Sequence, residues 1–331
     1  MKVPQSAVAG RPACSNPRHI LMKGDFQIMT RYVEKRILLA IVSVLVICAI
    51  TFFAMNAIPG GPFNSEKALS EATKAVLMER YNLDKPVPVQ FVLYMRNLLR
   101  GDFGVSLKTG RDISGTLFSC FKVSARLGAT AAVCAVACGI VLGSLAALFR
   151  NRLIDRVIVF FTTLFTAMPS FVFATFLMLV FCITLKWLPV WDASNKSLIL
   201  PVIALMAYPM AYVTRLTKTS MLDSLGQDYI RTARAKGVPM VKVIFKHALR
   251  NALIPVITYV GPMLAYILTG SLVVENIFTI GGLGQQFVKS ISNRDYPMIM
   301  ATTIFLAVVM VICNLLSDIA YKIVDPRITL D

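Results

Sequence analysis

The stretch Ile37–Ile58, ILLAIVSVLVICAITFFAMNAI, has 22 residues and contains no Asp, Glu, Lys or Arg. A helix rises about 1.5 Å per residue, so 20 apolar residues span the roughly 30 Å hydrocarbon core of a bilayer. Five further charge-free stretches of 18 to 29 residues are Gly128–Phe149, Val157–Leu185, Ser197–Thr214, Asn251–Val274 and Tyr296–Ser317. The pattern predicts an all-α polytopic membrane protein with six transmembrane helices, the first at 37–58.

The composition supports the same class of protein. Hydrophobic residues make up 56% of the 331 residues and charged residues 15%, whereas about 25% is usual for charged residues in globular domains. A soluble domain and a disordered chain are therefore excluded. The net charge of +17 is interpreted first as an orientation signal, and nucleic-acid binding is not expected.

Lysine and arginine are unevenly distributed among the segments between the spans. Twenty lie in the two terminal tails and in the second and fourth loops, whereas the short third and fifth loops hold four. Because cytoplasmic loops carry the basic excess, this distribution predicts that both termini are in the cytoplasm. The C-terminal tail is assigned to 322–331. The N-terminal tail, 1–30, is expected to be mobile, with Met22 and Met29 as alternative starts to Met1.

The long first loop, 59–122, is predicted to form a small helical cap on the outer face. Ser70–Tyr81 and Val89–Leu99 both carry apolar residues at helical spacing. A cysteine replacing Ser106 in this loop is expected to react with an impermeant thiol reagent added from outside.

The remaining five spans form a core at 123–321 that includes a long cytoplasmic loop, 215–250. Prolines within these predicted spans are compatible with bends, because neighbouring helices can satisfy the freed backbone groups. They are Pro169, Pro201, Pro209 and Pro262.

Chemistry-bearing motifs are few. The sequence has no phosphate-binding G-x-x-x-x-G-K-[ST] loop, and His19 and His247 are too few for a zinc or catalytic set. The ionisable residues Arg126, Glu275 and Asp318 lie at span ends, where an ion relay is not expected. No catalytic residue, metal site or bound cofactor is predicted. An ion-coupled secondary carrier and a membrane-embedded enzyme are the disfavoured alternatives.

The fourth loop has the most informative pattern. Tyr229–Lys236 is predicted to be a short basic helix that ends at Gly237, and Pro239 is predicted to take the first position of a second helix. In that helix one side is basic and the other apolar. The basic residues are Lys242, Lys246 and Arg250, and the apolar ones are Val241, Ile244, Phe245, Ala248 and Ala252. The pattern is typical of a docking element, with an interfacial helix on anionic lipid as the alternative.

The same loop carries a family resemblance. Asp228–Gly237, DYIRTARAKG, and His247–Pro255, HALRNALIP, resemble the cytoplasmic E-A-A loop of permeases of binding-protein-dependent ABC importers. The B-subunit branch of oligopeptide permeases is the most similar. Arg231-Thr232-Ala233 stands where other branches have Glu-Ala-Ala. The other matching segments are Ala57–Phe63, Arg80–Pro86, Gly101–Gly104, Thr269–Phe278, Asn293–Pro297 and Asp325–Arg327.

The resemblance runs from about Thr30 to the C-terminus and implies a type I ABC importer transmembrane domain fold. It implies a permease subunit that translocates short peptides delivered by an external solute-binding protein. Dipeptides, glutathione or nickel are alternative substrates of the same importer class. The implied partners are a second homologous permease subunit and two ATP-binding subunits that hold ATP and Mg. The expected location is the bacterial cytoplasmic membrane.

The resemblance also implies which residues are functional. Coupling to the ATP-binding subunits is expected at Arg231, Ala233, Gly237, Pro239, Lys242, Lys246, His247, Leu249 and Arg250. Glu275, within the matching segment TGSLVVENIF, is a candidate residue of an external gate.

Overall fold

The computed structural model describes residues 17–57, 85–191 and 196–324. The helix predicted at Ser70–Tyr81 lies outside these ranges. The helices of the described residues are α1 Pro17–Ala57, α2 Val87–Leu99, α3 Ile113–Leu148, α4 Leu153–Ala167, α5 Ser170–Thr184, α6 Ile199–Leu225, α7 Asp228–Ala235, α8 Met240–Ala252, α9 Ile254–Ile277, α10 Leu283–Ser292 and α11 Tyr296–Val324. The part of α1 before Val44 forms a unit separate from the rest of the described chain. The core, the cap and the candidate sites all lie in the unit that begins at Val44.

The apolar helices account for the six predicted spans. Among the described residues, α3, α6, Glu34–Ala57 of α1 and Tyr296–Ser317 of α11 are each long and apolar enough to cross a bilayer. The pair α4 and α5, and the pair α8 and α9, add two crossings when each bent pair counts as one. The first pair bends by 107° where Pro169 begins α5, and the second bends by 48°.

Several helices extend beyond their predicted spans, α3 and α6 among them. α3 begins at Ile113, inside the predicted loop 59–122, because Asp112 caps it by accepting the Gly115 N–H at 2.7 Å. α6 continues to Leu225, inside the predicted loop 215–250. A charge-free stretch marks the apolar part of a helix and does not mark where the helix ends.

An ion pair holds the extension of α6, which lies on the side that the sequence predicts to be cytoplasmic. Lys218 Nζ lies 2.5 Å from Asp155 Oδ1 of α4, and the Asp155 side chain is 8% exposed. The other Asp155 oxygen accepts the Asn151 N–H at 3.0 Å. The partly buried lysine therefore remains in the helix because a carboxylate of a neighbouring helix compensates its charge.

The core is formed mainly by α3, α5, α6 and α9, and its most extensive contact joins α3 to α6. A Cβ atom at Gly139 would lie 2.7 Å from the Val213 side chain, and one at Gly143 would lie 2.5 Å from the Thr214 carbonyl oxygen. The two glycines form a G-x-x-x-G pair, which lets membrane helices approach closely.

The cap consists of α2 and the loop that follows it. The helix predicted at Val89–Leu99 is present as α2, with Pro88 in its first turn. α2 packs against α1 and α11 through apolar and aromatic side chains, and the Phe52 and Phe91 ring centroids are 5.3 Å apart. Buried Met300 and Ile304 contribute the α11 side of this cluster.

Candidate functional site

Gly237 forms the turn between α7 and α8. Its φ is +75°, and its N–H donates to the Arg234 carbonyl at 2.9 Å while the Val238 N–H donates to the Ala233 carbonyl at 3.2 Å. These two bonds form a Schellman motif, the helix ending that favours glycine. The predicted helix end at Gly237 is therefore confirmed. Pro239 lies one position earlier than predicted, as the extended residue before α8, and its carbonyl accepts the Val243 N–H.

The arrangement of side chains on α8 differs from the prediction because a π-helical turn occupies Val243–Ala248. Val243, Ala248 and Ala252 are fully buried, whereas Val241 is 67% exposed and Phe245 is 65% exposed. In a regular α-helix, Val243 and Ala248 would point about 140° apart. The wider turn, closed by the Leu249 N–H and the Ile244 carbonyl, brings them to one face. The prediction that one apolar face is formed by Val241, Ile244, Phe245, Ala248 and Ala252 is therefore wrong.

The α7–α8 element, Asp228–Ala252, presents an apolar and basic surface. Met240, Val241 and Phe245 are exposed beside the lysines of α8, and Met240 was not singled out from the sequence. Tyr229 of α7 extends this surface, and its hydroxyl accepts a hydrogen bond from the Asn251 side-chain amide at 2.9 Å. Burial of these apolar side chains against a partner would stabilise a complex, as is typical of an interaction surface.

The nine predicted coupling residues all lie in the α7–α8 element, but they differ in exposure. Arg231, Lys242, Lys246 and Arg250 are exposed, together with Gly237 and Pro239 of the turn. Ala233 is buried, and His247 and Leu249 are half-buried. Arg231 is 3.4 Å from Asp228 in an exposed pair, which contributes little to stability. The cations are therefore available at the surface, whereas Ala233 and Leu249 anchor the element.

The buried side of the element joins it to two crossings. Ile230 and Ala233 of α7 and the three buried residues of α8 form a cluster with Met221 of α6 and Ala147 of α3. Because protein interiors are closely packed, a displacement of α8 would reach both crossings through these contacts.

Glu275 is fully buried near the end of α9. Its Oε2 accepts the Gly284 N–H of α10 at 2.7 Å. The Ser124 hydroxyl of α3 faces the same carboxylate. This hydroxyl also accepts the Leu283 N–H at 2.8 Å. The carboxyl group thus lies at the N-terminal end of α10, a position where a helix favours an anion. These contacts join α3, α9 and α10, and the gate role of Glu275 stays a prediction.

Two glycines at the start of α10, Gly282 and Gly284, make this arrangement possible. A Cβ at Gly282 would collide with the Glu275 carboxylate and lie 2.5 Å from Ser124 Oγ, and a Cβ at Gly284 would meet the Leu272 backbone. These glycines therefore leave room for the carboxyl group of Glu275 and for the close approach of α10 to α9, which the glycine content of Gly281–Gly284 alone could not reveal.

Ser106 is 1% exposed in the loop after α2, so the expected reactivity of a cysteine at this position is wrong. Its hydroxyl donates to the Asp295 carboxylate between α10 and α11, and the Leu107 N–H donates to the other carboxylate oxygen at 3.2 Å. The loop is thus attached to the helices that follow the fifth span. The neighbouring Thr109 is exposed.

A cavity of about 410 Å³ lies between the ends of α1 and α11, α2 and the same loop. Its lining combines apolar residues such as Phe52 and Met300 with the phenol groups of Tyr94 and Tyr296, whose hydroxyls are buried without a hydrogen-bond partner. Burial raises the pKa of the Tyr94 phenol further, and the hydroxyl, which is protonated at neutral pH in any case, can donate a hydrogen bond.

The apolar crossings and the exposed element between two of them are the features of a multi-pass membrane permease component. Residues 139–330 match the family described as "Binding-protein-dependent transport system inner membrane component", and residues 29–125 match its N-terminal region. The chain belongs to this family of integral inner-membrane transport components.

Named relatives agree with the family match. The chain is 46% identical over 305 residues to the dipeptide transport system permease protein DppB of Bacillus subtilis, which covers 91% of this chain and 99% of that protein. It is 40% identical over 304 residues, with the same coverage, to the oligopeptide transport system permease protein OppB of Haemophilus influenzae. A crystal structure of an amino acid ABC transporter aligns with a TM-score of 0.48 at 15% identity, over 63% of this chain and 94% of that chain.

Proposed function

We propose that this chain is a membrane-spanning permease subunit of an ATP-driven ABC importer for short peptides. The observation that carries the proposal is the α7–α8 element, in which exposed Met240, Val241 and Phe245 lie beside exposed cations. Relatives named as dipeptide and oligopeptide permeases cover 91% of this chain, which supports peptides as the substrate class.

The element is the docking surface for an ATP-binding subunit. An apolar surface rimmed by lysine and arginine suits a partner groove that is apolar at its centre and acidic at its edge. The buried contacts of Ile230, Val243 and Ala248 with Met221 and Ala147 transmit the movement of that partner to α6 and α3. The surface and its anchorage together form a coupling device.

The complete importer contains further subunits. This chain pairs with a second homologous permease subunit, two ATP-binding subunits bind ATP and Mg, and an external peptide-binding protein delivers the substrate. The chain itself binds no cofactor and is not an enzyme. It lies in the bacterial cytoplasmic membrane with both termini and the α7–α8 element inside, as the excess of Lys and Arg in those segments supports. The cap, residues 85–112, faces the external peptide-binding protein.

Oligopeptides are the proposed substrates, and dipeptides are the first alternative because both types of permease are among the relatives. Glutathione and nickel are the remaining alternatives within the same importer class. A competition series of di-, tri- and pentapeptides, glutathione and Ni²⁺ in an uptake assay separates these possibilities.

The test of the proposed function is uptake of a radiolabelled tripeptide by host cells that lack the gene and by the same cells complemented with it. Uptake should depend on the gene, should stop when arsenate depletes ATP, and should persist for the first minute after a protonophore is added. Gene-independent uptake contradicts the proposal. Uptake that the protonophore abolishes while ATP is maintained favours an ion-coupled carrier instead.

A further inference from the structure

Four tyrosines form a two-level ladder between α6 and α9. The rings of Tyr212 and Tyr259 stack with centroids 4.2 Å apart, and the Tyr208 and Tyr266 centroids are 4.9 Å apart. Tyr208 and Tyr212 are one turn apart on α6, which separates the two levels by about 6 Å.

The Tyr208–Tyr266 level lies within the charge-free stretches of both helices. Tyr208 is six residues before the end of one stretch at Thr214, and Tyr266 is eight residues before the end of the other at Val274. These separations correspond to about 9–12 Å of helix, whereas Tyr212 lies nearer the predicted cytoplasmic end. Tyrosine in membrane proteins is typically found at the two interfaces, and a hydroxyl within the bilayer core is unfavourable against lipid. The position of the Tyr208–Tyr266 level therefore indicates surroundings other than lipid.

The outward face of α6 supports this conclusion. Tyr208, Tyr212, Arg215 and Thr219 follow one another at helical spacing, and the last three are exposed, Tyr212 by 41%. The Arg215 guanidinium donates to the Thr166 hydroxyl at 2.6 Å. Arg215 and Thr219 lie beyond the charge-free stretch of α6, so the polar face that includes Tyr208 and Tyr212 continues towards the predicted cytoplasmic side.

Other crossings expose mainly apolar side chains. Most of the bulky exposed side chains in the charge-free stretches of α1 and α3 are apolar, including Ile50 at 64%, Val133 at 68% and Val141 at 58%. These faces suit acyl chains. α6 therefore differs from α1 and α3 in what its exposed face can contact.

α9 adds a backbone group to the ladder. Pro262 is exposed between Tyr259 and Tyr266, at helical spacing from both. Because proline has no N–H, the Thr258 carbonyl loses its usual helical donor. A carbonyl that lacks this donor can accept a hydrogen bond from a solute N–H.

We infer that Tyr208, Tyr212, Tyr259 and Tyr266 form the surface of this chain that contacts the main chain of a peptide during translocation. This inference rests on the proposed function. A phenol hydroxyl both donates and accepts hydrogen bonds, and its ring can lie against a planar peptide group. Such contacts do not depend on peptide side chains, as a pathway for peptides of different sequence requires.

Thiol labelling tests the location of the ladder. In the assembled importer with the seven native cysteines replaced, Tyr212→Cys should react with a water-soluble methanethiosulfonate reagent added to both membrane faces, and tripeptide should slow this reaction at least threefold. The matched control is Val141→Cys, which is exposed within the charge-free stretch of α3 but on an apolar face and should not react. Labelling of Tyr212→Cys no faster than that of the control overturns the inference, and so does labelling that peptide does not slow.

Removal of one hydroxyl tests its role. Tyr212→Phe retains the ring that stacks on Tyr259, so a packing role leaves uptake unchanged. The inference instead expects the maximum uptake rate to fall about threefold to tenfold, the equivalent of one hydrogen bond, with unchanged complex assembly. An unchanged rate overturns it. If the wild-type importer takes up no peptide, the proposed function fails, whereas the labelling comparison still reports whether α6 faces water.

Discussion

Ser106 donates a hydrogen bond to the buried carboxylate of Asp295, 189 positions later in the chain. The Leu107 N–H binds the same carboxylate, so the loop after α2 is attached to the junction of α10 and α11. The segment that follows the motif Gly101–Gly104 is thereby joined to the motif Asn293–Pro297. A fixed loop offers a defined surface to an external partner, whereas a flexible one would have to be ordered on binding.

The first prediction concerns the accessibility of this loop. Thr109→Cys should react with an impermeant maleimide in intact spheroplasts, because Thr109 is exposed. Ser106→Cys should react at least about tenfold more slowly, because thiol reactivity requires exposure. The measurement is the labelled fraction against time. Labelling of Thr109→Cys that requires lysis contradicts the proposed topology.

The second prediction concerns Gly237. A residue with a Cβ in the left-handed conformation costs about 1–2 kcal/mol, and no atom lies within 4 Å of the position that a Cβ would take. Gly237→Val should therefore be inserted normally but should lose most peptide uptake, since the turn between α7 and α8 is strained. Uptake, co-purification of the ATP-binding subunits and their hydrolysis rate are measured together.

Gly237→Asn is the matched control, because asparagine adopts the left-handed conformation more readily than valine. It should retain most of the uptake. Normal uptake in the valine variant would remove this turn from the coupling mechanism and favour attachment of α8 to lipid.

The third prediction separates the apolar from the charged part of the docking surface. Phe245 is 65% exposed, and burial of a phenylalanine side chain contributes about 1.5–3 kcal/mol. Phe245→Ala should weaken binding of the ATP-binding subunits roughly 10- to 100-fold. Lys242→Ala should weaken it less than about sixfold, because an exposed charge pair contributes 0–1 kcal/mol. Binding to the purified membrane subunits is the measurement, and Val133→Ala is the control. Equal effects of the two substitutions contradict this ranking.

The fourth prediction addresses Glu275. Hydrogen bonds to charged groups contribute about 1–2 kcal/mol more than neutral ones, so Glu275→Gln should lower the Tm of the purified complex by a few degrees. Gly282→Ala, which crowds the same carboxylate without removing its charge, should also lower the Tm. Thermal unfolding and uptake are measured for both variants. Lost uptake with an unchanged Tm in Glu275→Gln would favour the gate role over a stabilising one.

Much of the fold follows from the sequence because apolar length is a local property. Six charge-free stretches predict six crossings, and Gly237 predicts the end of α7 since a left-handed residue there needs no Cβ. The ends of the crossings are harder to predict. Lys218 stays within α6 because Asp155 of another helix compensates its charge, and no local pattern contains that pairing.

The candidate sites were only partly predictable for the same reason. The π-helical turn at Val243–Ala248 changes which side of α8 is buried, and a periodicity of 3.6 residues cannot indicate it. The contact of Glu275 with Gly284 and that of Ser106 with Asp295 join segments whose proximity depends on the packing of whole helices. The tyrosine ladder could not be predicted because it depends on the relative position of α6 and α9.

The last prediction concerns the contact between α3 and α6. Gly143 faces the Thr214 carbonyl, a backbone atom that cannot move away as a flexible side chain could, and Gly139 faces Val213 one turn earlier. In a membrane the hydrophobic effect does not drive helices together, so this close approach supplies packing that little else can replace. Overpacking costs about 1–3 kcal/mol per site, and Gly143→Val should therefore lower the amount of chain in the membrane and the Tm of what remains. Ala129→Val is the control, because Ala129 is exposed on the same helix and should tolerate the added methyl groups. The steady-state amount in membranes and the Tm in detergent are measured for both. If Gly143→Val accumulates and unfolds like the control, α3 and α6 do not pack as closely as the structure shows, and the path from α8 through Ala147 and Met221 loses its rigid connection.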